Sequence, residues 1–542
     1  MRLPRNVNLM LLLFLIFLNI FIRFPRTPHE IGVDGFTTHA LTNSISQNGY
    51  AKWIVNPISW FGLYPLSYPS GGMFLTSEFS QIGAIPIEGA IFLENMLISI
   101  VGLLAMYLLA KEIKNDDRFA FFAAFIFTIA PRFLAYTLWE TPSRSMFMAF
   151  TPLFLLMLLK IHKNPSFKNI GILFGVFIVI LSAHRLAIMM LIVLFGYLFT
   201  YIFMVIRRIF KLKYPKIFLH PSRRRLVTHL SALAFISSIF LMIYFTGILD
   251  RYRVGFMSGD DILTSFLNLG FSIANSAGIL LPFIALGIIA VIYFKNKTLK
   301  EYLFLFIIIG IIPTLTLRTY YGFYIVAFTS LFIAIGLLIT SSFIQRRSKK
   351  IAVIVITLSF AAAVFVSNGY VSNRMSRDIL PNETYGTGIY VKYNTDATFI
   401  SNDGLLGSKV SSISGKAYLP IGGATLPPNG TELLAFGFVG KQQIIARPLP
   451  FQELKVDDDY LFVFSIEDVP VWEWLEISRT DANSLKAKIE SRYNLKYAIE
   501  RADLEGQYVV WLGPEYSRLF TSLHNSRYQI YTNGVDNLWL VT

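Results

Sequence analysis

Eleven stretches of the chain are apolar for nearly long enough, or long enough, to cross a bilayer. They lie near residues 8–24, 88–110, 119–138, 146–161, 169–183, 186–206, 228–249, 271–294, 302–317, 320–343 and 351–367. A helix rises about 1.5 Å per residue, so about 20 apolar residues match a hydrocarbon layer about 30 Å thick. Backbone polar groups find no water there, and a helix satisfies them within the segment itself. The sequence therefore predicts a polytopic α-helical membrane protein with about 11 transmembrane helices. Its first run follows Arg2 and Arg5 as a signal peptide would, but it ends Phe21-Ile22-Arg23-Phe24 without a small-residue cleavage site and reads as a retained helix.

A net charge of +15 in a soluble chain would point to nucleic acid, but here its placement decides. Up to Ser367 there are 32 Lys/Arg and 13 Asp/Glu, and beyond it 16 and 20, so the two parts carry +19 and −4. A transmembrane domain over 1–367 and a water-exposed domain over 368–542 follow, with a first outer loop at 25–87. With the N-terminus in the cytoplasm, 23 of the 32 basic residues fall on the inner side, as the positive-inside rule requires, and the second domain lies outside. The absence of cysteine excludes a disulfide framework and a thiolate site.

Beyond Ser367 the pattern turns to short alternating segments. Ala397–Ser401, Glu432–Phe438, Tyr460–Ile466 and Tyr508–Leu512 read as strands, Asp481–Tyr493 as an amphipathic helix, and Tyr528–Val541 as a hairpin turning at Asn533-Gly534 with positive φ at both positions. An extracytoplasmic α/β domain is expected. The first outer loop reads as an interfacial helix over Asp34–Asn48, then an aromatic stretch with Trp53, Trp60, Tyr64 and Tyr68 at headgroup level.

Candidate chemistry gathers on the outer face. Asp34 stands in Gly32-Val33-Asp34-Gly35-Phe36-Thr37-Thr38-His39, where a carboxylate serves as a general base, as a ligand for a divalent cation, or as a helix N-cap. Glu140 and Arg144 share a short turn, Trp139-Glu140-Thr141-Pro142-Ser143-Arg144, and suit a base or metal ligand and a phosphate fork, or else a local ion pair. His184 and Arg185 lie between spans with almost no loop, where ionisable groups mark function or snorkel to the surface. Arg318 is a further cation on that face. Acids and arginines around an apolar bundle suit an anionic head on a lipid tail.

The run Gly32-Val33-Asp34-Gly35, then Tyr50-Ala51-Lys52-Trp53 and Tyr64-Pro65-Leu66-Ser67-Tyr68-Pro69-Ser70-Gly71-Gly72, resembles the start of the GT-C superfamily of integral-membrane glycosyltransferases, above all oligosaccharyltransferase catalytic subunits. Ser143-Arg144-Ser145 and Arg318 are also similar to that family. The resemblance implies transfer of a sugar from a polyprenyl- or dolichyl-phosphate donor to a protein, lipid or glycan acceptor on the outer face of a cell membrane, while the absence of cysteine in an outer domain and the inside-positive membrane part suit a prokaryotic plasma membrane, an archaeal one included. It implies Asp34 as catalytic acid and places Glu140 where a second is expected; together with the outer-face clustering it makes Arg144, Arg185 and Arg318 the expected donor-phosphate ligands and His39 and His184 the assisting groups. A divalent cation, Mg or Mn, would sit on Asp34 and Glu140 where the branch uses one. Two departures stand out. The acid element expected after Ser143-Arg144-Ser145 is replaced by Met146-Phe-Met-Ala-Phe-Thr151, and Trp-Trp-Asp-Tyr-Gly is missing, Val471-Trp-Glu-Trp-Leu-Glu476 being no substitute. Both argue against an oligosaccharyltransferase proper and count against metal dependence. A monosaccharide transferase, or a relative that has lost catalysis, is expected instead. A non-catalytic membrane-anchored scaffold with an outer binding domain is the alternative, and a transporter, which needs polar or broken helices at mid-membrane, the third.

Overall fold

The computed structural model describes residues 4–51, 54–55, 63–64, 69–209, 262–293, 300–303, 305, 321–375, 379–396, 399–401, 404–416, 418–419, 496–501 and 527–541, with short strand pieces between 432 and 476. The chain divides into two compact units. One, here the helical unit, comprises Met1–Pro25, Leu93–Leu138 and Pro142–Ser376. The other, the mixed unit, comprises Arg26–Phe92, Trp139–Thr141 and Arg377–Thr542. The expected runs at 228–249 and most of 302–317 lie outside the described residues, as do Arg318, Trp53, Trp60, Tyr68, the helix Asp481–Tyr493 and the strand Tyr508–Leu512.

Among the described residues, six helical stretches are long and apolar enough to cross a membrane: Arg5–Arg23, Ile87–Ile113, Ser143–Lys163, Leu269–Ile292, Val326–Gln345 and Lys349–Ser372, with Phe167–Ala183 and Met190–Ile206 shorter and apolar. In chain order the helical unit holds α1 (Arg5–Arg23), most of α4 (Ile87–Ile113), α5 (Asp117–Ile129), α6 (Pro131–Tyr136), α7 (Ser143–Lys163), α8 (Phe167–Ala183), α9 (Met190–Ile209), α10 (Ile262–Ala277), α11 (Leu281–Tyr293), α12 (Tyr321–Tyr324), α13 (Val326–Gln345) and α14 (Lys349–Met375). In lipid, where tails are as apolar as leucine, close backbone approach replaces the hydrophobic drive. Gly287 of α11 and Gly336 of α13 permit it, since a Cβ on either would sit 2.0 Å from Phe332 O or 2.3 Å from Phe283 O.

The run 119–138, expected as one span, is two helices. Pro131 lacks an N–H and crowds the preceding turn, so α5 ends and α6 starts at Pro131. The freed carbonyl of Thr128 accepts from Arg23 Nη2 at 3.0 Å, while Arg23 Nε donates to Thr137 Oγ1 at 2.7 Å and Nη1 to Asn19 O at 3.3 Å. Arg23 is 1% exposed and its guanidinium lies over the Phe133 ring. A cation at the end of a span is thus buried across the break, rather than held at an interface. Near the basic α4–α5 turn, Lys111 pairs with Asp117 and Lys300 donates to the carbonyls of Glu112 and Ile113, so cations meet the C-terminal end of α4.

The mixed unit contains α2 (Val33–Asn48), α3 (Gly71–Gly83), α15 (Asn382–Asn394) and α16 (Gly404–Ser414) with a five-stranded sheet. Its strands are β1 (Phe399–Ser401), β2 (Tyr418–Leu419), β3 (Tyr497–Arg501), β4 (Arg527–Thr532) and β5 (Asp536–Val541), in spatial order β4-β5-β3-β1-β2. The strands β3, β1 and β2 are parallel, and α16 supplies the crossover between β1 and β2 that a parallel pair needs. Val391, Phe399, Leu406, Val410, Ile499 and Leu538 form the core. The hairpin β4–β5 is present, but positive φ occurs at Gly534 only. Asn533 contributes through its side chain instead, its Oδ1 accepting from the N–H of Val535 and Asp536.

Helix α2 occupies the stretch expected to be helical, yet its apolar positions face protein. Leu41 and Ile45 pack on Met73 of α3. Its other side meets α16 through short side chains, with Thr37 Oγ1 donating to Ser408 Oγ at 3.5 Å and Asn43 Nδ2 to Ser412 O. Gly49, at φ +79, ends the helix with its N–H on Ile45 O, an ending that favours glycine.

Candidate active site

One backbone tie and one side-chain tie bring Asp34 and Glu140, 106 positions apart in sequence, into one framework within the mixed unit. The Ile31 N–H donates to Trp139 O at 2.8 Å, and the hydroxyls of Thr38 and Thr141 meet at 2.6 Å. Between these ties the Glu140 side chain lies on Gly32. A Cβ at Gly32 would come within 2.7 Å of Glu140 Cγ, and the backbone there has φ +106. Both space and backbone angle demand glycine at that position. Gly35 likewise faces Thr141, whose Oγ1 would lie 3.5 Å from an added Cβ. The two glycines flanking Asp34 thus face the segment that carries the second acid.

Asp34 is half-buried in the first turn of α2, and Glu140 is 4% exposed. Capping does not account for Asp34, because the cap position is Gly32 and no side chain caps the helix. His39, on the next turn, is buried with Nδ1 at 2.7 Å from Glu30 Oε1.

The helical unit holds the arginines. Arg144 opens α7, its guanidinium 5.3 Å from the ring centre of Tyr136 and 5.7 Å from that of Phe323, while the two rings meet edge-on at 4.8 Å. Arg132, absent from the sequence-based set, lies 5.1 Å from the centre of Phe323 and is almost buried. Gly322 makes room for it, since an added Cβ would overlap Arg132 Nη1. Aromatic faces attract a guanidinium by about 0.5–2 kcal/mol each and leave its in-plane donors directed elsewhere. The signal for Arg132 was Ala130-Pro131-Arg132, a proline that ends one helix and places the next residue on a new axis.

His184 is buried where α8 ends, and its Nδ1 accepts from the Leu186 N–H at 3.0 Å, opening the 3₁₀ turn Arg185–Met189. One ring nitrogen of His184 is therefore engaged structurally. The side chain of Arg185 and all of Arg318 lie outside the described residues. Among the described residues no group of three His, Cys, Asp or Glu side chains is disposed to hold a metal ion.

No family profile and no curated protein matches the sequence. Solved structures do match the fold. The oligosaccharyltransferase of Archaeoglobus fulgidus in its apo form aligns over 99% of this chain and 75% of its own, at 14% identity and a TM-score of 0.58. ArnT from Cupriavidus metallidurans bound to undecaprenyl phosphate aligns over 99% and 97%, at 12% identity and a TM-score of 0.56. A complex of the Archaeoglobus enzyme with Zn and sulfate aligns over 91% and 68%, at 15% identity and a TM-score of 0.53. The chain thus has the GT-C-like fold that these structures share, built on helices long and apolar enough to cross a membrane. At these identities the likeness is one of fold, and the chain spans almost the whole of ArnT.

Proposed function

We propose that the protein is a glycosyltransferase that moves a sugar from a polyprenyl-phosphate donor to an acceptor at the outer face of a cell membrane. One observation carries the reading. In a fold shared with lipid-linked sugar transferases, Gly32 is reduced to a bare backbone at the point where the Glu140 side chain packs beside the Asp34 turn.

In the reaction Asp34 accepts the proton of the acceptor nucleophile as it attacks the anomeric carbon. The bond from that carbon to the phosphate oxygen breaks, and polyprenyl phosphate leaves with the electron pair. Glu140 orients the acceptor or shares its proton. Arg144, joined by Arg185 and Arg318, holds the donor phosphate and stabilises the charge that grows on the leaving oxygen. A guanidinium suits this because its donors lie in one plane and can meet two phosphate oxygens together. His39 and His184 act behind these groups. No step is assigned to a divalent cation. The orientation that goes with this reading has the N-terminus in the cytoplasm and residues 368–542 outside, and the reading holds for a polyprenyl or a dolichyl tail alike.

Membranes containing the protein are expected to transfer label from a polyprenyl-phosphate sugar to endogenous acceptor, and Asp34→Asn is expected to reduce that transfer by about 10³-fold or more, the scale of losing an essential acid–base group. Full activity in Asp34→Asn would overturn the assignment.

A further inference from the structure

Glu30 and His39 stand four residues before and five after Asp34, and their side chains meet at 2.7 Å with 2% and 4% of their surfaces exposed. The bond closes residues 30–39 into a ring that contains the reversal at Gly32 and the start of α2. A carboxylate only accepts, so His39 Nδ1 carries the proton that lies between them.

The outside of this ring is anchored as well. The Glu30 N–H donates to Glu88 Oε1 at 2.9 Å, and Glu30 O accepts from the Leu380 N–H at 3.3 Å. Ile31 bridges Ile379, and Trp139 Nε1 donates to Glu88 O at 2.7 Å. His29 Nδ1 lies 3.1 Å from the same Glu88 oxygen, and its ring stacks on Tyr385 with centroids 3.8 Å apart. Segments around residues 88, 139 and 380 therefore converge on the backbone of Glu30 and Ile31.

Burying a carboxylate against an imidazole is a poor route to stability alone, because an apolar pair of similar volume does as well or better. A hydrogen bond of this length adds direction. We propose that Glu30 and His39 are positioning residues for Asp34: their bond fixes the turn at 31–38 so that the Asp34 carboxylate meets the acceptor in one orientation beside Glu140. The pair moves no proton in the reaction. This inference rests on the transferase reading above.

The test uses the full chain in nanodiscs. Glu30→Leu is expected to lower kcat by about 10–100-fold with KM for the polyprenyl-phosphate sugar within about twofold, because misplacing a reacting group by about 1 Å has effects of that size. Glu30→Gln keeps an oxygen for His39 Nδ1–H and is expected to restore kcat to within about threefold of wild type, a neutral acceptor serving nearly as well for orientation. His39→Phe keeps the ring and removes the nitrogen. It is expected to repeat the loss, and it stands in should Glu30→Leu fail to fold. Amide hydrogen exchange at 31–38 is expected to rise in both damaging variants while that of 404–414 stays unchanged. Unchanged kcat in both, or a Gln variant as impaired as the Leu variant, overturns the proposal. If wild type transfers no sugar, the transferase reading fails, and exchange decides the pair alone: unchanged protection at 31–38 then overturns it.

Discussion

The arginines of the helical unit and the acids of the mixed unit are held by different means. In the helical unit the arginines rest mainly on helix-end carbonyls and aromatic faces: buried Arg23 on Thr128 O and Phe133, with one bond to the Thr137 hydroxyl, and Arg132 and the half-buried Arg144 on Phe323. In the mixed unit polar side chains meet one another, as in Glu30 with His39, Thr38 with Thr141 and Thr37 with Ser408. An apolar surrounding leaves a guanidinium few partners besides backbone and rings. A unit assembled from residues 26–92, 139–141 and 377–542 can recruit partners far apart in sequence. The comparison teaches that the proposed chemistry is divided by setting, with donor-phosphate cations in the helical unit and acceptor-side acids in the mixed unit.

Three perturbations sharpen that division. The largest effect is expected for Arg144→Gln, which removes a charged donor worth about 1.5–3 kcal/mol and should weaken binding of undecaprenyl phosphate about 10–150-fold, read by titration in nanodiscs. Unchanged binding would break the link between the helical unit and the phosphate. Next is Gly32→Ala. A backbone at φ +106 is strained by about 1–3 kcal/mol for a non-glycine residue, and the added Cβ would displace Glu140. Transfer is expected to fall about tenfold or more while undecaprenyl phosphate binding holds, a loss of the size that about 1.4 kcal/mol produces. Equal losses in both readouts would count against the division.

The smallest effect concerns Asp536 in the hairpin. Burial pushes its carboxyl above the ordinary range, against the opposing pull of the Thr384 and Thr387 hydroxyls and the charges of Arg501 and Lys409. The folded form thus keeps the proton to a higher pH than the unfolded chain. Stability from this group is fully present below the unfolded value, about 3.9, and is lost as pH rises through the folded one. Asp536→Asn retains an acceptor for Thr387, so its melting temperature relative to wild type is expected to rise between pH 4 and pH 7. A difference independent of pH would show that Asp536 titrates alike in both states.

Much of the fold was legible from local pattern. Apolar run length located the helices from Arg5–Arg23 to Lys349–Met375, and alternation located the Tyr528–Val541 hairpin and the strand ending at Ser401. The break at Pro131 was also written in the chain, but the surrounding run is apolar enough to conceal it. Of the readings the sequence left open for Asp34, the cap is removed: Asp-Gly before a helical run has that local signature, whereas Gly32 takes the cap position here. Pairings such as Glu30 with His39 and Arg23 with Thr128 were not legible. They depend on turns and long-range packing that no local spacing encodes, and Arg23 reaches partners 105 and 114 positions away. The close fit of Gly32 to Glu140 is of the same kind.

Donor binding and sugar transfer, measured on the same nanodisc preparations of wild type and Asp34→Asn, test the division between the two units most directly. The expected result is undecaprenyl phosphate binding equal within about twofold, less than about 0.5 kcal/mol, with transfer lost in the variant. Transfer that survives in Asp34→Asn, or binding that disappears along with it, would contradict the assignment of acceptor chemistry to the mixed unit and phosphate binding to the helical one.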